Sequence, residues 1–313
     1  MCKAVKVVRT DGLSRTEWLE YRRAGIGGSD AATVVGLGRF GSQFELWSDK
    51  KGLLPDKEDT EVMRLGRDLE QYVAQRWMEK TGKRVRRMNY ILRDPRYPYS
   101  LANLDREVIG EDAGLECKTT SVYNKCDWEG GEIPPAWYVQ CMHYMAVCGY
   151  DRMYLAVLVL SKGFYTFEIE RDEAEIAALM EAETAWWERY VTGGEEPPAD
   201  GSDSAEEVLR KLHPVDDGTS VLLMDKEGDL DRIGQLSSQI EALTQERDAL
   251  KQGIMQRMGD AGSGQSAGWK VTWKAQESRR VDQKKLKEAY PEAWEACVKV
   301  STSRPMRIVR TGS

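Results

Sequence analysis

The sequence predicts an α/β fold followed by a helical C-terminal extension. Residues 1–197 alternate between segments whose apolar side chains recur at helical spacing and short segments with strand-like alternation. The longest apolar stretch, 153–160, is short and partly β-branched, which is typical of a buried strand. Residues 229–258 carry apolar side chains at heptad-like spacing, which indicates a coiled-coil-like helix.

The N-terminal part is predicted to contain three short helices and one long helix. Two short helices are expected at 16–23 and 44–50. A loop at 24–30 leads into the third, with Ser29 as its N-cap, because serine side chains satisfy free amides at helix starts. A long amphipathic helix is expected from Glu61 to Gly82, since glycine is a common helix terminator.

The remaining elements complete a sheet and divide the chain into regions. Strands are predicted at 84–92, 101–107, 114–119, 152–160 and 164–169, and helices at 137–148 and 172–192. A Gly- and Pro-containing segment ends the domain. The expected regions are a domain at 1–198, a linker at 199–228 and an extension at 229–313, with the coiled-coil-like helix, a small strand at 269–274 and a basic tail.

Composition excludes several classes of protein. No run of about 18 apolar residues occurs, which argues against a membrane span. The N-terminus lacks the apolar core of a secretory signal, so the predicted location is the cytoplasm. The six cysteines form no C-x-x-C pair, which opposes zinc-ribbon and iron–sulfur sites and favours free thiols. With two histidines in the chain, any chemistry is expected to depend on carboxylates and lysine.

A net charge of −7 lowers the expectation of nucleic-acid binding without excluding it. Net charge governs nonspecific association, whereas a local basic lining governs a binding channel. Carboxylates that hold metal ions also make the bare chain look more acidic than the loaded site.

The most informative cluster of polar residues lies on two neighbouring predicted strands. Asp105 ends one strand, and Glu116 and Lys118 share one face of the next, because alternate side chains of a strand point the same way. Two carboxylates that lie this close repel each other unless a hard cation such as Mg²⁺ or Mn²⁺ sits between them. The alternative is a surface ion pair on a hairpin. Leu115 and the strand context favour a one-face-buried strand and a phosphodiester-hydrolysing site.

The carboxylates and the lysine of this predicted site each have a chemical role in phosphodiester hydrolysis. Metal held by Asp105 and Glu116 would orient and activate a water molecule and neutralise the phosphate. Lys118 would position that water and stabilise the developing charge. Glu70, on the inner side of the long helix, would add a carboxylate to the metal or its water shell.

A set of short motifs makes the chain similar to a known family. They are Trp18-x-x-x-Arg22, Gly25-Ile26-Gly27-Gly28-Ser29-Asp30-Ala31-Ala32, Glu45-Leu46-Trp47, Gly66-Arg67-x-Leu69-Glu70, Ala102-Asn103-Leu104-Asp105-Arg106, Leu115-Glu116-Cys117-Lys118-Thr119 and Gln140-x-x-His143-Tyr144. In this order and spacing, over about residues 14–190, they resemble the YqaJ-type viral recombinases of the lambda exonuclease group. The resemblance implies a restriction-endonuclease-like core, a central mixed sheet flanked by helices.

The resemblance also implies an activity. It is Mg²⁺-dependent 5′→3′ digestion of one strand of linear duplex DNA, with Mn²⁺ able to substitute. The product, a 3′ single-stranded overhang, would pass to a single-strand annealing protein during phage-type recombination. Relatives often form a ring-shaped trimer, so a homo-oligomer is expected here, although the extension puts the simple ring in doubt.

Individual roles follow from the resemblance, position by position. The catalytic triplet would be Asp105, Glu116 and Lys118, with Glu70 as the additional helix carboxylate, the main-chain carbonyl of Cys117 as a further metal ligand and Gln140 as the helix glutamine beside them. Arg22 and Ser29 would grip the terminal 5′ phosphate, and the alternative for that pair is a helix cap beside an exposed arginine. His143, on an apolar helix face, is expected to be packed or hydrogen-bonded rather than a base.

Two other functions remain open from the sequence. One is a structure-specific or restriction-like DNA endonuclease of the same fold. The other is a non-catalytic DNA-binding scaffold, which is disfavoured because all four positions of the expected site are filled.

Overall fold

The computed structural model describes residues 4–38 and 41–310. The chain divides into two compact units, Met1–His213 and Pro214–Ser313. Among the described residues, no helix is both long and apolar enough to cross a membrane. The five cysteines of this part are free thiols, as predicted, and Cys2 lies outside the described residues.

The first unit contains nine described strands and seven described α-helices. The strands are β1 (Val5–Arg9), β2 (Ile26–Gly27), β3 (Val85–Arg87), β4 (Tyr90–Arg93), β5 (Ser100–Ala102), β6 (Arg106–Val108), β7 (Ala113–Thr120), β8 (Arg152–Val159) and β9 (Gly163–Glu170). The helices are α1 (Arg15–Arg23), α2 (Gly28–Val34), α3 (Gln43–Lys50), α4 (Glu61–Thr81), α5 (Pro135–Cys148), α6 (Glu173–Trp186) and α7 (Asp203–Leu212).

The central sheet has five strands in the order β3-β6-β7-β8-β9. It is mixed, because β7 and β8 run parallel while the other neighbouring pairs are antiparallel. A second sheet has the order β1-β4-β5-β2. The predicted α/β fold with a central mixed sheet flanked by helices is confirmed.

Helices cover both faces of the central sheet. On one face Val73 and Trp77 of α4 pack against Leu115 of β7 in an apolar cluster. On the other face α5 packs with Met153 and Leu155 of β8 in the larger core. Because successive strand residues face opposite sides, Glu116 and Lys118 of β7 lie on the α5 side.

Two predicted strands are each divided between the two sheets. The prediction of one strand at 84–92 is wrong, because β3 joins the central sheet and β4 joins the second. The predicted strand at 101–107 is divided in the same way into β5 and β6. Packing explains the break: Ala102 belongs to the core beside α5, whereas Val108 joins the cluster beneath α4. The crossing segment between β5 and β6 carries Asp105.

The end of the first unit also differs from the prediction. Helix α6 ends at Trp186 and continues as a turn of π-helix, Trp187–Thr192. The predicted linker at 199–228 is wrong for its first part, where α7 buries Ala205 and Val208. Their apolar packing fixes this segment to the unit, with Ser204 within hydrogen-bond distance of Ser42.

The second unit contains the predicted long helix and hairpin. Helix α8 (Glu227–Met258) follows a 3₁₀ turn and has no buried residue. The strands β10 (Ser263–Ser266) and β11 (Trp269–Thr272) pair antiparallel. Two short helices, α9 (Gln283–Ala289) and α10 (Pro291–Cys297), follow them.

Candidate active site

The antiparallel pair β6–β7 brings together the residues of the predicted triplet. Arg106 pairs with Leu115 in the antiparallel register, so Asp105 lies beside Glu116. The Asp105 carboxylate accepts a hydrogen bond from the Cys117 amide at 2.8 Å, which fixes its direction. The Lys118 Nζ lies 2.7 Å from Glu116 Oε1.

Gln140 of α5 connects the two charged side chains of β7. Its Nε2 donates to Glu116 Oε1 at 2.8 Å, and its Oε1 accepts from Lys118 Nζ at 2.9 Å. Tyr144, one helical turn later, accepts from Gln140 Nε2 at 3.0 Å and donates to the Asn103 carbonyl at 3.1 Å. The glutamine therefore holds the carboxylate and the amine in one fixed arrangement.

The two carboxylates are crowded and incompletely compensated. Burial raises the pKa of Asp105 well above its usual value, and the carboxylates of Glu116 and Glu70 raise it further. Glu116 is 4% exposed, and its Oε2 is buried without a hydrogen-bond partner. Burial would lower the pKa of Lys118, but Glu116 and Asp105 outweigh that effect and raise it, so the amine is protonated. One amine among these carboxylates leaves an excess of negative charge that a cation would relieve.

Glu70 lies beside this cluster and is already engaged. The buried Arg106 guanidinium donates to Glu70 Oε1 through Nη1. Its Nη2 donates to Gln71 Oε1 at 3.1 Å. The same Nη1 donates to the Asp105 carbonyl at 2.7 Å. Arg106 thus ties α4 to the segment that carries Asp105, and it holds the Glu70 carboxylate in place.

The donor set fits a hard divalent cation. Within residues 4–38 and 41–310, no three His, Cys, Asp or Glu side chains are already gathered into a metal-binding group. The carboxylates of Asp105 and Glu116 do lie together, and Glu116 Oε2 is buried without a hydrogen-bond partner, so these oxygens are of the kind that a hard divalent cation binds. The Cys117 side chain packs on the opposite, α4 face, so only its main chain is directed to the site.

A basic cluster lies at the start of α2. Arg22 Nη2 donates to Ser29 Oγ at 2.9 Å and lies 3.2 Å from Asp30 Oδ1. The buried Lys50 Nζ donates to Asp30 Oδ2 at 2.7 Å. Burial would raise the pKa of Asp30, but Lys50 and Arg22 outweigh it and hold the pKa well below its usual value. Two cations and one carboxylate leave one net positive charge here.

The prediction that Ser29 caps α2 is wrong. The N-cap is Gly27, and its amide donates to the Asp30 carboxylate at 3.0 Å, so Asp30 takes the capping role. The Ser29 hydroxyl instead faces Arg22. The alternative of a cap beside an exposed arginine therefore does not describe this pair.

One cleft joins the basic cluster to the carboxylates. It has a volume of about 160 Å³ and is lined by Trp18, Arg22, Gly27, Gly28, Ser29, Ile91, Leu101, Asn103, Asp105, Glu116, Gln140 and Tyr144. The Arg22 guanidinium lies 4.9 Å from the centre of the Trp18 ring, which is a cation–π distance. The predicted phosphate-gripping residues Arg22 and Ser29 thus share one concave surface with Asp105 and Glu116 of the predicted triplet, whereas Lys118 contacts Glu116 without lining the cleft.

His143 is buried and hydrogen-bonded, as predicted, and it does not line the cleft. Its Nδ1 lies 2.7 Å from Glu183 Oε1, and its Nε2 lies 2.9 Å from the Leu101 carbonyl. Burial would lower the pKa of His143, but Glu183 outweighs it and raises it. Because both ring nitrogens face acceptors, the charged form with two N–H groups satisfies the site.

Sequence reasoning missed Lys50, Arg106 and Tyr144. Lys50 and Arg106 act through partners that are 20 and 36 residues away in the chain, so local spacing gives no signal for them. Tyr144 lies one helical turn after Gln140, and that spacing was a signal for their contact. Asp30 did carry a signal, because an acidic residue three positions after a helix N-cap commonly caps it.

Comparison with known proteins assigns the chain to a family. Residues 17–151 match the family model described as a YqaJ-like viral recombinase domain. The chain is 40% identical over 299 residues to the uncharacterized protein YqaJ of Bacillus subtilis strain 168, covering 94% of this chain and 93% of that protein. The chain belongs to the YqaJ-like viral recombinase family. The resemblance predicted from the sequence motifs is thereby confirmed.

Solved structures with some similarity include two exonucleases. An alkaline exonuclease from Laribacter hongkongensis is 20% identical, with a TM-score of 0.45, over 63% of this chain and 97% of that chain. A phage-related exonuclease from Haemophilus somnus 129PT is 11% identical, with a TM-score of 0.40, over 55% of this chain and 96% of that chain.

Proposed function

We propose that the protein is a Mg²⁺-dependent exonuclease. It would digest one strand of linear duplex DNA in the 5′→3′ direction and leave a 3′ single-stranded overhang. The observation that supports this most is the shared cleft, which joins Arg22 and Ser29 to Asp105 and Glu116. A phosphate held at the basic end would leave the following phosphodiester near the carboxylates. Membership of the YqaJ-like viral recombinase family agrees with this proposal.

The chain offers a defined set of groups for the cation. Asp105 and Glu116 would hold it through their carboxylates, the Cys117 carbonyl would be a main-chain ligand, and Glu70 would add to its water shell. When bound, Mg²⁺ supplies charge neutralisation at the scissile phosphate and a water of lowered pKa. Mn²⁺ would serve in the same set, because both ions prefer oxygen ligands.

The surrounding side chains prepare the carboxylates for hydrolysis. Lys118 is protonated and stands 2.7 Å from Glu116 Oε1, so it can donate to a phosphate oxygen as negative charge develops there. Gln140 holds both groups through two hydrogen bonds, which limits their reorientation during the reaction. The burial of Glu116 strengthens each of these electrostatic contacts, since the local dielectric is lower than in water.

The basic end would select the 5′ terminus. The guanidinium of Arg22 offers a fork of donors that matches phosphate oxygens, and the Ser29 hydroxyl adds one more donor. The buried Lys50 neutralises the Asp30 carboxylate, so the charge of Arg22 is available to a ligand. Trp18 lies against the guanidinium and limits its movement.

The test is digestion of matched linear duplexes that carry a 5′ phosphate or a 5′ hydroxyl at one end, together with a covalently closed circle. In Mg²⁺ the 5′-phosphorylated duplex should be digested fastest, with mononucleotide release, and EDTA should stop the reaction. Lys118→Ala should reduce the rate by about 10²-fold or more. Lys211→Ala, an exposed lysine on α7, is the matched control and should retain the parent rate.

Two outcomes would contradict the proposal. Rapid cleavage of the closed circle would indicate an endonuclease of the same fold. Parental activity in Lys118→Ala would remove the assigned site. The single-strand annealing partner, the trimeric ring and the cytoplasmic location remain predictions.

A further inference from the structure

Helix α8 presents an exposed seam that is mostly apolar. We define the seam as the residues at positions a and d of its seven-residue repeat from Ile233 onward, which are Ile233, Leu236, Ile240, Leu243, Arg247, Leu250, Ile254 and Arg257. The six apolar members are exposed, and Leu243 and Leu250 are each 65% exposed. In the described part of the chain, no residue of α8 is buried.

A helix of this composition is not expected to persist without a partner. It contains Gly228, Gly234 and Gly253, and glycine is among the least favourable residues within a helix. Helical stability in proteins comes mainly from burial of an apolar face. The six apolar seam residues form the apolar face of α8, so burial of the seam is what would stabilise the helix.

The seam residues specify the number of helices that would meet. Apolar a positions are all isoleucine and apolar d positions are all leucine, the combination that favours two parallel strands over three or four. The charged Arg247 falls at an a position, and a single polar residue there commonly fixes register and oligomeric state. This pattern is that of a two-stranded parallel coiled coil.

Charges beside the seam identify the partner as a second copy of this chain. In a parallel pair, Glu246 at position g faces Lys251 at position e of the partner helix. It also lies beside Arg247 at position a of that helix, so one carboxylate compensates the charge that the seam carries. Within one chain Arg247 and Lys251 contact Asp248 at 3.0 and 3.9 Å. Those contacts are exposed and contribute little, so they can be exchanged.

We infer that α8 pairs with α8 of a second copy as a parallel two-stranded coiled coil. The pairing lies outside the catalytic cleft, and it does not depend on the proposed nuclease activity. It would join two nuclease units in one particle through their C-terminal extensions.

The test compares the full-length protein with Leu243→Glu by light scattering on a sizing column. Leu243 lies in the second unit, so glutamate there should leave the nuclease unit folded, but two glutamates would face each other in the seam. The mass of the particle should fall twofold. Gln245→Glu adds the same charge at position f, outside the seam, and should leave the mass unchanged. Equal masses for the parent and Leu243→Glu would overturn the inference.

Direction is tested by disulfide formation from Leu250→Cys, in a chain with Cys2 and Cys297 replaced by serine. In a parallel pair the two introduced thiols meet at the same level, so oxidation should yield a covalent dimer. In an antiparallel pair each introduced thiol would face an a position of the partner helix, so the two thiols would lie at different levels and no covalent dimer would form. Absence of the cross-link, or a three-chain product of bifunctional cross-linking through α8, would contradict the two-stranded parallel arrangement.

Discussion

Replacement of Gly28 by alanine tests whether the packing of α2 against α5 positions Gln140, the proposed helix glutamine of the site. A Cβ at position 28 would lie 2.6 Å from Cε1 and 2.7 Å from Cζ of Tyr144, and 3.0 Å from Cγ of Gln140. The first distance is about 0.8 Å short of the 3.4 Å at which ordinary contacts begin. The Tyr144 ring is rigid and 4% exposed, so it cannot simply rotate away.

The size of the effect follows from this displacement. Overpacking of a well-filled core typically costs about 1–3 kcal/mol, so the free energy of unfolding of Gly28→Ala should fall by that amount. The Tyr144 hydroxyl holds Gln140 and the Asn103 carbonyl at 3.0 and 3.1 Å, and a shift close to 1 Å would break this geometry. Misplacement by about 1 Å can cost about 10²-fold in rate, so DNA digestion should fall to that extent.

The assay has a matched control in the same unit. Gly66 lies within helix α4, where an added Cβ has open space, so Gly66→Ala should stabilise the protein by about 0.5–1 kcal/mol. Urea unfolding and the rate on 5′-phosphorylated duplex would be measured for both variants. If Gly28→Ala unfolded and digested DNA like the parent, the idea that Tyr144 and Gln140 are held by close packing would be refuted.

Three further predictions concern the charged groups around the cleft. Arg22→Lys removes the bidentate fork, so the preference for a 5′ phosphate over a 5′ hydroxyl should fall about tenfold in paired digestion rates, and an unchanged preference would contradict the phosphate site. Lys50→Met leaves Asp30 buried with one cation fewer, so urea unfolding should show a loss of about 3 kcal/mol, and a loss below the error would show that the pair is dispensable. His143 has a pKa raised by Glu183, so its contribution to stability is full below about pH 6.5 and is lost as pH rises through the raised value. Unfolding free energies between about pH 6 and about pH 9 should therefore decline in the parent, and His143→Gln should remove that decline.

The sequence was sufficient for the long helices α4 and α8, for helix α5, for strand β7 and for the family. Helical and strand-like spacing is a local property, so α4, α5, β7 and α8 could be predicted from it. The Glu116 and Lys118 pair followed from strand alternation alone. The motifs around Arg22 and Asp105 then identified the family, because their order and spacing are specific.

The remaining features depend on tertiary packing. The break between β5 and β6 carries no glycine or proline, so the sequence has no strong breaker signal there. Whether such a segment stays in one sheet depends on which core each half enters. The assignment of Ser29 as a cap failed for a related reason. Asp30, neutralised by the distant Lys50, accepts from the Gly27 amide and so takes the capping role.

The most direct test of the site is Mn²⁺ binding, measured by calorimetry and by the electron paramagnetic resonance signal of the free ion. Parent protein should bind the ion at a site that Asp105→Asn and Glu116→Gln each abolish. Asp68→Asn, which neutralises an exposed carboxylate on α4, should bind like the parent. If Asp105→Asn and Glu116→Gln bound Mn²⁺ with the affinity and stoichiometry of the parent, these two carboxylates would not be the metal site.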